Sequence, residues 1–108
     1  MQIRAMRIIV MFDVNSTTKT DLRNYSKWHK FLVNSGFIMM TESVYSKLAL
    51  NPANAKAIKA EIRKNLPPAG TVQVVELTEK QFNNIEYFLG EPKNNVINTF
   101  ERYTEIWF

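Results

Sequence analysis

The chain of 108 residues has no cysteine, only three glycines, four prolines and a single histidine. Without cysteine there is no disulfide and no thiolate metal site, which suits a reducing compartment and leaves the fold to rest on packing. Three glycines make no phosphate-cradling loop. One histidine, His29, supports no Ser/His/Asp arrangement, and no group of residues has recognisable metal-ligand spacing. Long apolar runs are also missing. The longest is Ile8–Phe12, far short of the ~20 residues that cross a bilayer. The N-terminus has no apolar stretch followed by a small-residue cleavage site. These absences point to a cytoplasmic, soluble protein with no membrane contact.

What is present is charge, unevenly placed. Residues 1–66 hold eleven Lys/Arg against four Asp/Glu, a net of +7, and residues 67–108 hold three against six, a net of −3. The basic part can attract nucleic acid or be an ordinary solvated surface; the acidic part can meet a basic partner or stay in water. The length suits one domain that buries roughly 65% of its extended-chain surface.

Met6–Val14 reads as a strand rich in β-branched and large apolar residues. Asn15–Thr18 reads as a loop, and Thr18 with Asp21 has capping-box spacing. The helix that follows should reach Ser35, with Gly36 terminating it. Phe37–Thr41 and Ser43–Leu50 read as two strands in quick succession. Asn51 then Pro52 is a helix start, and Pro67–Pro68 stops that helix near Leu66. Gly70–Leu77 is a fourth strand, and Gln81–Leu89 reads as a short helical turn followed by a short strand. The order β-α-β-β-α-β is the α+β ferredoxin-like pattern, with both helices on one sheet face. Residues 1–90 form that domain, and residues 91–108 form a tail expected to add a C-terminal strand.

Side chains alternate across a strand, so Arg7, Ile9, Met11 and Asp13 share the face that two helices cannot cover. A second copy packed sheet to sheet would cover it, giving a homodimer; the alternative is the chain's own tail folding back. The apolar end, Ile106, Trp107 and Phe108, is a candidate partner contact.

On the first helix, Leu22, Tyr25, His29 and Leu32 fall on one face with Trp28 beside them, as a core stripe. Lys19, Arg23, Lys27 and Lys30 fall on another, a row roughly 16 Å long. The second helix repeats the scheme, with Ile58, Ile62 and Leu66 inward and Lys56, Lys59 and Arg63 in a row. Such rows suit phosphates, through backbone contact rather than base reading, or simply confer solubility. His29 reads as a hydrogen-bonded, half-buried ring. Asp13, where the first strand meets a loop, reads either as a cap for the Ser16 or Thr17 backbone or as a ligand. Two copies across a two-fold axis would offer Mg²⁺ two carboxylates.

MRIIVMFDV, the basic helix ending KFLVNSGFIMM, and SVYSKLAL together resemble the CRISPR-associated protein 2 family. The Phe12–Asp13 pair and Ser43, Val44 and Tyr45 carry the likeness, and LTEKQF at Leu77–Phe82 is similar to its type II-A branch. Asn15 and Ser16 depart from the family's common proline-containing turn. The resemblance implies a ferredoxin-like homodimer that binds double-stranded DNA. Such a dimer bridges two dimers of the CRISPR integrase, CRISPR-associated protein 1, during spacer acquisition. It also implies, as an alternative, a metal-dependent endonuclease on RNA or DNA, with Asp13 as the catalytic Mg²⁺ ligand.

Overall fold

The computed structural model describes residues 5–92, so the tail strand and the Ile106–Phe108 contact lie outside the described residues. Four strands, β1 (Met6–Asp13), β2 (Ile38–Thr41), β3 (Val44–Ala49) and β4 (Thr71–Thr78), alternate with α1 (Lys19–Asn34), α2 (Pro52–Lys64) and a short α3 (Glu79–Asn83). The strands form one antiparallel sheet in the order β2-β3-β1-β4. β1 is interior, paired with β4 from Met6–Thr78 to Asp13–Thr71 and with β3 from Met6–Ala49 to Met11–Val44. That interior place explains its run of β-branched residues, which must suit burial on both faces.

Local chemistry sets the helix starts. Thr18 accepts a hydrogen bond from the Asp21 amide at 3.0 Å, and the Thr18 amide donates back to the Asp21 carboxylate at 3.3 Å. Asn51 accepts from the Asn54 amide ahead of Pro52. α1 ends at Ser35 and Gly36, whose φ of +89° lies in the region that glycine tolerates.

The even-numbered face of β1 carries the main core. Ile8, Val10 and Phe12 meet Trp28 and Leu32 of α1 and Ala55, Ile58 and Ile62 of α2. Phe12 organises it, edge-on to Trp28 at 5.7 Å and tilted against Tyr45 at 5.6 Å. Two expected core residues are out of place. Leu22 is half exposed because α1 turns Trp28 and Leu32 inward, with Tyr25 and Phe31 packed beside them. Leu66 is half exposed because α2 stops at Lys64 and Leu66 lies past the cap, Asn65.

The other sheet face is covered in part by the chain itself. It is not left wholly bare: α3 returns over it, and Phe82 buries against Ile9, which keeps 5% of its surface. Thr78 and Gln81 close a capping box that starts α3 directly from β4. Arg7, 1% exposed on this face, donates from Nε to Glu79 at 2.6 Å and lies over the Phe82 ring at 4.7 Å. Arg7 thus fastens α3 through a charge pair and a cation–π contact. Breaking a buried pair strands the remaining charge, but Glu79 keeps a quarter of its surface, so the cost falls below the fully buried case. Arg7→Met should lose about 2 kcal/mol in chemical unfolding; an unchanged midpoint would remove the pair from the account. No strand follows α3 among the described residues: Asn84–Pro92 is irregular, and Phe88 and Leu89 keep over nine-tenths of their surface.

Candidate functional site

Asp13 sits at the end of the interior strand with its side chain exposed. The backbone there is tightly held. Gly70 has φ +102°, and a Cβ on it would stand 2.4 Å from the Asp13 carbonyl oxygen. A strand-edge pattern makes Gly70 the first residue of β4. The backbone instead makes it the turn that lets the chain approach Asp13, a role only glycine fills without strain. The capping alternative for Asp13 fails. Ser16 and Thr17 take no bond from it; Asp21 serves this loop, accepting from the Thr17 hydroxyl at 3.2 Å and from the Thr18 amide. The Thr18 backbone and side-chain hydrogen bonds, with smaller help from Thr17, hold the Asp21 carboxyl below its ordinary value of 3.8. Among the described residues the Asp13 side chain makes no hydrogen bond that would give it a structural task. No group of three or more His, Cys, Asp or Glu is gathered among the described residues, so no ready-made metal cluster surrounds Asp13 there.

The basic rows are placed as their spacing predicts, with one exception. Lys19, Arg23, Lys27 and Lys30 are all exposed on α1, as are Lys56 and Arg63 on α2. Lys59 is not free: its Nζ lies 2.7 Å from Glu76 of β4, both half-buried. That ion pair crosses between elements far apart in sequence, so helical spacing alone does not reveal it. Lys64 escapes the row because it stands next to Arg63 rather than one turn from it, yet it reaches the side of α2 that faces α1.

His29 is half-buried, with Nδ1 2.7 Å from the Tyr45 hydroxyl. Burial, with Tyr25 and Glu42 nearby, pushes the Tyr45 phenol above its usual 10.0. The ring is hydrogen-bonded and half-buried, as read from the sequence. No helix among the described residues is long and apolar enough to cross a membrane.

Comparison with known proteins gives the family. The family "CRISPR associated protein Cas2" matches residues 6–85. A protein of Treponema denticola named CRISPR-associated endoribonuclease Cas2 is 48% identical over 97 residues, covering 90% of this chain and 96% of the relative. The same name is borne by relatives in Streptococcus mutans, at 40% identity and 90% and 89% coverage, and in Ligilactobacillus salivarius, at 38% identity and 90% and 96% coverage. A solved structure titled "Crystal structure of cas2" superposes with a TM-score of 0.57 at 20% identity, over 83% of this chain and 92% of that one. That last likeness concerns the fold alone. With a match spanning β1 through α3, and relatives this similar along nearly their whole length, the chain belongs to the CRISPR-associated protein Cas2 family.

Proposed function

We propose that two copies of the chain form a ferredoxin-like homodimer that holds double-stranded DNA during CRISPR spacer acquisition, bridging two dimers of the integrase, CRISPR-associated protein 1. The exposed α1 row carries this reading. Lys19, Arg23, Lys27 and Lys30 project from one helix face, and the single acid of that helix, Asp21, is engaged in its cap. Four like charges on adjacent turns repel by a few tenths of a kcal/mol per pair, a cost that an anionic partner removes. The α2 row adds Lys56 and Arg63, with Lys59 paired to Glu76.

The dimer reading rests on the sheet face that α3 covers only in part. Around Ile9 and Phe82, the side chains of Met11, Ile38, Met40, Val44 and Leu77 stay half-buried, and Val75 is 39% exposed. Such a patch suits a sheet-to-sheet contact. Ile106, Trp107 and Phe108 remain our candidate for the integrase contact. Sedimentation of the full-length chain, alone and with a short duplex, tests the reading. A dimer that binds one duplex is expected; a monomer at high micromolar concentration overturns it.

Asp13 favours a second reading, that of the metal-dependent endonuclease acting on RNA or DNA. It is an exposed carboxylate that caps nothing, mounted on a rigid strand, in a chain whose relatives are named endoribonucleases. Mg²⁺ takes one or two carboxylates and completes its shell with water and phosphate oxygens. The lone Asp13 fits that pattern only if its copy on a second chain, or the substrate itself, supplies the other ligands. The metal would serve as the Lewis acid on a phosphodiester.

A further inference from the structure

Between α1 and the turn leaving α2 lies a cleft of about 380 Å³, within the range of small-ligand sites. Two cations from different helices line it, Lys27 and Lys64, together with two amides, Asn24 and Asn65. Leu66, Pro67 and Pro68 supply apolar surface. The exposed Leu66, misplaced as a core residue, has a use here.

The groups are free to bind. Among the described residues Lys64 pairs only with Glu61, at 3.5 Å, and both side chains are largely exposed, so that contact holds the ammonium weakly. Asn65 donates its Nδ2 to the Glu61 carbonyl at 2.9 Å, which leaves its Oδ1 as an acceptor. Two ammonium groups suit a dianion such as a phosphate monoester. Paired amides beside flat apolar surface suit a heterocycle with donors and acceptors on its edge. An acidic peptide would satisfy the first pair of groups and waste the second.

We infer that this cleft binds one nucleotide unit, with its phosphate between Lys27 and Lys64 and its base against Leu66, read at the edge by Asn24 and Asn65. A free nucleoside monophosphate and the phosphorylated end of a strand share that chemistry. The site adds to the duplex track and shares only Lys27 with it.

Calorimetric titration of the full-length chain with uridine and adenosine monophosphates, inorganic phosphate, and a 5′-phosphorylated tetranucleotide tests the inference. A monophosphate should bind at least about tenfold more tightly than inorganic phosphate. Lys64→Gln and Asn24→Ala should each weaken it by about tenfold, with unchanged circular dichroism, since glutamine and alanine keep helices well. A tetranucleotide that binds more tightly than the monophosphate assigns the cleft to strand ends, and equal binding assigns it to free nucleotides. Equal affinity for inorganic phosphate, or no effect of either substitution, overturns the nucleotide site. Arg23→Gln, outside the cleft, separates the two proposals. If it leaves duplex binding intact while Lys64→Gln still weakens the nucleotide, the duplex track falls and the cleft stands.

Discussion

Replacing Arg23, Lys27 and Lys30 together by glutamine should make duplex binding both weaker and less sensitive to salt. Each phosphate neutralised by a cation releases counterions, so the slope of log affinity against log salt changes by about 0.9 for every phosphate that is no longer neutralised, or about 2.7 for each protomer on the duplex. A parent that neutralises six to ten phosphates would drop on the order of 10³ to 10⁵ in affinity between 50 and 200 mM salt. The weakening should be the same on any sequence, because the proposed track would meet backbone and not bases. Glutamine matches lysine and arginine in helix propensity, and removing like charges at helical spacing relieves repulsion, so stability should hold. An unchanged slope would mean that DNA lies elsewhere, and the α1 row would revert to a solvated surface.

The second large effect concerns Asp13 and the glycine beside it. Asp13→Ala should abolish any metal-dependent cleavage, while the unfolding midpoint moves within about 0.5 kcal/mol, since the side chain is exposed and bonds to nothing in the loop. Gly70→Ala should do both kinds of damage. A Cβ 2.4 Å from the Asp13 carbonyl cannot be accommodated, and φ +102° is unfavourable for any L side chain. About 2–4 kcal/mol of stability should go with it, and the carboxylate should be displaced. Cleavage assays beside chemical unfolding check the pair. If Asp13→Ala cleaves as well as the parent, the activity comes from another residue or a contaminant.

What can be read from the sequence follows the range of the interactions. Thr18 with Asp21, Asn51 with Pro52, and Gly36 act within one turn, and each sets its helix end where the residues predict. The order of the strands and helices is equally local in origin. Leu22 escapes such reading because helical periodicity sets a stripe's spacing but not its rotation; Phe12 and its aromatic neighbours decide that. The Lys59–Glu76 pair and the Arg7–Glu79 fastening join residues distant in sequence, and no spacing rule reaches them. The cover on the second sheet face is partly visible in the residues: Thr78 and Gln81 have cap spacing, but only the fold shows that α3 turns back toward Ile9. Asp13 is conspicuous in the sequence as an acid ending an apolar strand. The glycine that holds it is not, because that close approach bridges residues 13 and 70.

The place of β1 between β3 and β4 has a mechanical consequence. Backbone in the middle of a sheet exchanges its amide protons only when the domain opens as a whole, whereas helix ends fray at little cost. The acid at the tip of β1 follows directly from a strand paired on both sides as far as Met11 and is itself paired with Thr71 of β4, whereas the first lysine of α1 stands at a helix end. On the proposed reading, a polyanion held by the helices would meet a carboxylate anchored separately, on the sheet.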